Sequence, residues 1–259
     1  MTADGSGLHI KQLAKHFGGV RVFDDVTFYV PPRRVTALLG PNGAGKTTII
    51  NIICGIFPAD HGEVYLGGQS LLGLQPHQTI ERGIARTFQD VRIFPSLTAL
   101  ENVLTAFPRQ PGDRLWEVFL AAGRVAGEER KNRARAMELL DQVGLVAEAK
   151  RPAEELPFGQ QKLLGLVRAV ATGAGLLLLD EPSTGVEVSL VPNVTRLIRY
   201  LVDEEARSVL LIEHNVDVVR EIADQVVMLQ GTVITSGTCD TVLNDERVIS
   251  EYLGRLYDA

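Results

Sequence analysis

The stretch LHIKQLAKHFGGVRVFDDVTFYV alternates apolar and polar positions on either side of a Gly-Gly turn, the period-two pattern of two antiparallel strands. RVTALLG is then a short, continuously apolar strand that runs straight into a glycine-rich loop. KTTIINIICGI behind it has the apolar density of a helix packed on a sheet, and GEVYLGGQSL reads as a further hairpin. From about Leu97 to Gly144 the apolar spacing changes to threes and fours, so LTALENVLTAF, RLWEVFLAA and NRARAMELLDQVGL predict helices.

After Gln160 helices and apolar strands alternate. KLLGLVRAVAT predicts a helix, LLLLD a fully buried strand, LVPNVTRLIRYLVDEE a helix and SVLLIEH a second buried strand. QVVMLQGTVITSG closes as a hairpin, with a C-terminal helix to follow. Fully apolar strands alternating with helices predict a mainly parallel sheet covered on both faces.

Composition narrows the function classes. A chain of 259 residues, 45% hydrophobic and 22% charged, can bury a full core in one or two globular domains. A net charge of −6 and a pI near 5.5 speak against nucleic acid as partner, because phosphate neutralisation wants a basic face. Cys54 and Cys239 lie on different elements without metal-ligand spacing and are expected to be reduced thiols of a cytosolic protein. MTADGSGLHIKQL has no apolar signal-peptide core, and the longest apolar stretch, Leu163 to Leu179, is broken by Arg168 and glycines. Any work at a membrane is therefore expected to go through a partner. The mixed-sign run EERKNRAR reads as a solvated helix face and Trp116 as helix packing.

The chemistry concentrates at strand ends. Gly40, Pro41, Asn42, Gly43, Ala44, Gly45, Lys46 and Thr47 fit G-x-x-x-x-G-K-[ST] between a strand and a helix that begins at Lys46, Thr47 and Thr48. That placement aims backbone N–H groups and the helix N-terminus at bound phosphates, so the set from Gly40 to Thr48 is the expected ATP-binding loop. Lys46 is expected to bridge the β- and γ-phosphates and the Thr47 hydroxyl to ligate Mg²⁺. Asp180, at the end of LLLLD, can hold that magnesium, and Glu181 can polarise an attacking water. His214 ends another strand expected at the same sheet edge, where it can sense the γ-phosphate. His9, His16, His61 and His77 have no such position.

Two further stretches, RTFQD (Arg86 to Asp90) and LPFGQQK (Leu156 to Lys162), complete an ordered set that resembles the ATP-binding cassette (ABC) ATPases from KHFGG to the closing EYLG. The resemblance implies an α/β fold: a P-loop NTPase (RecA-like) core with a mainly parallel sheet, an antiparallel β subdomain and an α-helical insertion. It implies one nucleotide-binding domain over 1–259, with 1–92 and 160–259 as core and 93–159 as the helical subdomain ending in the signature. By the same resemblance Phe17 stacks on adenine, and Gln89 contacts Mg²⁺ and the attacking water. Pro157, Phe158, Gly159 and Gln160 close on the ATP of an opposite subunit, and STGVE forms a dimer-contact loop with Glu187 where many members have Asp.

Such proteins pair around two ATP molecules and drive transmembrane permease subunits from the cytoplasmic face. The implied partners are a second, identical or paralogous cassette, a permease and, indirectly, a solute-binding protein. GIARTFQDVRIFPSLTALENV, FGQQK, LLIEHNVDVV and VISEYLG look like importers of branched-chain, hydrophobic amino acids. Urea or amide importers, lipid or lipopolysaccharide exporters and soluble non-transport cassettes are the alternatives. The last carry coiled-coil or zinc-bearing insertions, or tandem cassettes, that this sequence lacks. Two departures stand out: Arg33-Arg34 replace a Gly-acid turn, and Pro157-Phe158 replace the Ser-Gly of the signature.

Overall fold

The computed structural model of the chain describes residues 7–87, 92–108 and 122–250, and of 122–126 the backbone alone. Gln89, Trp116, RLWEVFLAA up to its last residue and the EYLG motif lie outside the described residues. In chain order the strands are β1 (Leu8–Phe17), β2 (Val20–Val30), β3 (Val35–Leu39), β4 (His61–Leu66), β5 (Gln69–Ser70), β6 (Ile84–Arg86), β7 (Leu176–Asp180), β8 (Ser208–Ile212), β9 (Gln225–Leu229) and β10 (Val233–Gly237). The helices are α1 (Lys46–Ile53), α2 (Pro76–Glu81), α3 (Ala99–Leu104), α4 (Ala122–Gln142), α5 (Phe158–Ala171), α6 (Val191–Asp203), α7 (Val216–Ile222), α8 (Cys239–Leu243) and α9 (Glu246–Val248).

Two compact units emerge. The first comprises Met1–Arg86, Gly175–Glu181 and Ile198–Ala259 and contains both sheets. One sheet is antiparallel with strand order β2-β1-β4-β5, and Phe17 pairs with Val20 across the left-handed Gly18–Gly19 turn that the alternating pattern implied. The other has the order β10-β9-β3-β8-β7-β6 and is parallel except for the β9–β10 hairpin. This matches the expected mainly parallel core with an antiparallel companion.

The large sheet is apolar on both faces because each face has its own cover. Along β3, Leu38 joins a cluster with Ile49, Ile50, Ile52 and Ile53 of α1, while Ala37 and Leu39 face a second cluster with Val219 of α7 and Val242 of α8. Strand β9 divides in the same way, Val227 and Leu229 to one side, Val226 and Met228 to the other. Alternate side chains of a strand point to opposite faces, so a two-sided cover demands a strand without polar positions.

The second unit comprises Thr87–Ala174 and Pro182–Leu197. Thr98 caps α3 in a reciprocal box, its hydroxyl accepting the Glu101 N–H and the Glu101 carboxylate accepting the Thr98 N–H. Fully buried Asn102 ties the preceding segment down: its amide donates to the carbonyls of Phe94, Leu97 and Thr98, and its oxygen accepts the Phe94 N–H. Among the described residues no helix is long and apolar enough to cross a membrane.

Candidate active site

Parallel pairing fixes which strand ends meet. Leu38 of β3 and Asp180 of β7 both register against Ile212 of β8. The loop after β3, the Asp180-Glu181 step and the segment around His214 therefore leave the sheet side by side, at the carboxyl edge where α/β sheets bind ligands.

The glycine loop is glycine where it must be. A Cβ on Gly40 would sit 2.1 Å from the Leu229 carbonyl oxygen, and one on Gly45 would sit 2.5 Å from the Phe23 ring. Gly45, at φ +92°, is also the residue from which α1 starts. Lys46 turns back into this loop, and its ammonium donates to the carbonyls of Gly40 (2.8 Å) and Pro41 (2.9 Å). Burial pushes the Lys46 pKa below its ordinary value, while the nearby Glu181 and Asp180 carboxylates pull it upward.

Asp180 is buried, and burial lifts its carboxyl above the usual carboxylate range. A hydrogen bond with Thr47 and the positive charges of Arg86 and Lys46 oppose that lift, and the Glu181 charge adds to it. Two hard oxygen donors, the Thr47 hydroxyl and the Asp180 carboxylate, are thus already side by side. Mg²⁺ is held in this way, by one or two carboxylates together with substrate phosphates. Among the described residues no group of three His, Cys, Asp or Glu could hold a metal alone. The donor set fits a magnesium shared with a nucleotide.

Glu181 is one of the few non-glycine residues in the left-handed region, at φ +50°. Its N–H donates to the Ile212 carbonyl at 2.9 Å, and its Oε1 lies 2.9 Å from Nε2 of His214. With the carboxylate ionised, that contact requires Nε2 to carry the proton. A strained backbone held by a neighbouring strand and an imidazole is a preset carboxylate.

Phe17 ends β1, with 43% of its surface exposed, and stands nearly perpendicular to Phe57 at 5.3 Å between ring centroids. Thr48 lies in α1. In the second unit Pro157 caps α5 without a side-chain hydrogen bond, and Phe158, Gly159 and Gln160 form its first turn. A Cβ on Gly159 would approach the Gly185 carbonyl to 2.8 Å, so the start of α5 lies hard against the STGVE loop. The Lys162 ammonium donates to the Thr184 carbonyl at 2.6 Å. Phe158 and Val188 remain exposed.

Two charged residues at this edge escaped the sequence reading as individuals. Arg86, at the end of β6, donates to Asn51 of α1 at 2.5 Å and acts electrostatically on Asp180. Glu213, almost fully buried, accepts the His214 N–H at 2.9 Å and so fixes the chain just where His214 turns out. The available signal was a charge placed at the end of an apolar strand, in GIAR and in LLIEH.

Comparison with known proteins gives a consistent result. A family model described as ABC transporter matches residues 23–184. The chain is 34% identical over 248 residues to the high-affinity branched-chain amino acid transport ATP-binding protein BraF of Pseudomonas aeruginosa, spanning 95% of this chain and 97% of that one. A nucleotide-free ATP-binding cassette from an ABC transporter superposes with a TM-score of 0.79 at 30% identity, covering 95% of this chain and 98% of that chain. A dimeric cassette in a post-hydrolysis state bound to ADP and Pi superposes with a TM-score of 0.74 at 26% identity, covering 90% and 98%.

Proposed function

The chain belongs to the ABC transporter family and is an ATPase, and from that premise we propose that it is the energy-coupling subunit of an importer for branched-chain or other hydrophobic amino acids. The importer part of the reading is supported by the likeness to a branched-chain amino acid transport ATP-binding protein over nearly the whole chain. The ATPase part is supported by the Glu181–His214 contact at 2.9 Å, at the sheet edge that also holds the glycine loop. In this reading Gly40 to Thr48 cradle the phosphates, and the Lys46 ammonium exchanges two carbonyl partners for β- and γ-phosphate oxygens. Phe17 stacks on the adenine. Thr47 and Asp180, with Gln89, would hold Mg²⁺. When bound, that ion would neutralise charge developing on the transferred phosphoryl group.

Glu181 takes the proton of the attacking water. His214 orients the carboxylate through Nε2 and can then turn its N–H to the γ-phosphate. The left-handed backbone of Glu181, tied to Ile212, limits where the carboxylate can go. Such positioning matters because a general base acts only within hydrogen-bond reach of its proton.

The chain is one nucleotide-binding domain. The sequence division into core (1–92, 160–259) and helical subdomain (93–159) shifts with the compact units, and the helical unit, Thr87–Ala174 with Pro182–Leu197, is the part that docks on permease subunits. This chain's signature, Pro157 to Gln160, closes on the ATP held by a second cassette, identical or paralogous; a dimeric relative bound to ADP and Pi supports the pairing. The complex works at the cytoplasmic face of the membrane and receives solute from a binding protein.

The test is reconstitution with permease subunits and a solute-binding protein in proteoliposomes. ATP-driven leucine uptake, lost in Lys46→Ala, is the expected result. Uptake of urea instead, or ATP-driven lipid movement without amino-acid uptake, would overturn the importer assignment.

A further inference from the structure

Lys15, two residues before Phe17, is only 5% exposed although it lies on a sheet that borders solvent. Its ammonium sits 2.9 Å from Oδ1 of Asp60 and 5.0 Å from the centroid of the Phe17 ring. The other carboxylate oxygen of Asp60 accepts the His16 N–H at 2.6 Å, and the Asp60 N–H donates to the Ala14 carbonyl at 3.1 Å. Asp60 is therefore bolted to three successive residues of β1, and Lys15 is bolted to Asp60. An apolar side chain would fill the same space without the desolvation of an ammonium. What the cation adds is attraction to one face of the ring. Phe57 stands at 75° to that ring, and much of Phe17 remains open to solvent.

We propose that Lys15, clamped by Asp60, is a positioning residue that presets the Phe17 ring to stack on the adenine base. The proposal rests on the reading of Phe17 as the adenine platform. A cation on one face draws electron density from the ring, which improves its open face as a partner for an electron-rich purine. It also narrows the orientations Phe17 samples, so less freedom is lost when the base arrives.

The test measures ATP and inorganic triphosphate binding, with KM and kcat for ATP, on the full chain. The variants are Lys15→Met, which keeps the apolar stem, Lys15→Arg, Asp60→Asn, Phe17→Ala and the Lys15→Met/Phe17→Ala pair. Lys15→Met should weaken ATP by roughly 3-fold or more, with an upper bound of about 30-fold set by the whole of a partly desolvated cation–π contact, because only the part that differs between free and bound protein counts. The loss should fall on KM rather than kcat, spare triphosphate, be largely rescued in Lys15→Arg and vanish in the Phe17→Ala background. Equal losses in both backgrounds, or for ATP and triphosphate alike, would overturn it. If Phe17→Ala weakens ATP while Lys15→Met is silent, positioning by Lys15 fails and the platform reading stands. If Phe17→Ala leaves ATP affinity unchanged, both fail. Should Lys15→Met not fold, Asp60→Asn at a partly exposed carboxylate carries the same expectation, and a silent Asp60→Asn overturns the proposal.

Discussion

Single side chains in this molecule do work that their neighbours in sequence do not announce. Lys46 donates to two loop carbonyls in a largely buried setting, and nothing in the apolar core depends on its ammonium. Lys46→Ala is thus expected to keep native circular dichroism while ATP binding falls below detection in equilibrium titration. Asp60 makes a second prediction. Its hydrogen bonds with Lys15 and the His16 backbone hold its pKa at about 2, below the ordinary 3.8. A depressed carboxylate stabilises the fold fully above its unfolded pKa, and that contribution is lost as pH falls through the folded value. Stability should therefore decline between about pH 4 and pH 2, and Asp60→Asn should flatten that part of a urea-midpoint-against-pH profile. A slope unchanged in Asp60→Asn would assign the acid sensitivity to other groups. Arg33 shows what sequence leaves unsaid: its backbone takes φ +55°, with its N–H donating to the Ser208 hydroxyl. The glycine that the family pattern carries there suits the left-handed turn, and arginine adopts it under strain.

At the scale of elements the legible and the hidden divide by range. Strand β3, the glycine loop and α1 are consecutive, so period and glycine spacing announce all three. The ends of β7 and β8 were equally plain, because four apolar residues followed by a charge have few other uses. The Lys15–Asp60 clamp spans 45 residues and two strands, and no local period encodes it. Asn102 was hidden for a different reason: its partners are only four to eight residues away, but they lie in irregular chain before α3 that no period describes. Asn102→Ala strands four hydrogen-bonding contacts in a fully buried place. It is expected to destabilise the fold by about 2–4 kcal/mol, read from urea denaturation, and a change under about 1 kcal/mol would mean that water replaces the amide. Pro157→Ser tests the start of α5. The gained cap is worth about 0.5–2 kcal/mol and the lost proline rigidity about 0.4–1 kcal/mol, so stability should change by between about −0.5 and about +1.6 kcal/mol. If the signature faces a γ-phosphate across a dimer, the hydroxyl should raise hydrolysis by a larger factor than that stability change, and an unaltered rate would contradict the role given to Pro157.

For the whole molecule, a sheet edge that gathers three strand ends is the site of an ATPase of the ABC transporter family. Both sheets and the edge were legible, because apolar strands alternating with helices leave few topologies and parallel strands place their loops together. The helical unit was legible as helices, but its inclusion of 182–197 was not, since that segment lies beyond β7 in sequence. The central claim is that Glu181, set by His214 and the Ile212 carbonyl, is the base of hydrolysis. Its most direct test is single-turnover hydrolysis of radiolabelled ATP by Glu181→Gln, with bound nucleotide measured in the same samples. The account predicts ATP binding close to wild type with hydrolysis slower by at least ~100-fold, the usual loss on removing a general base. Hydrolysis within a few-fold of wild type, with ATP equally bound, would contradict it.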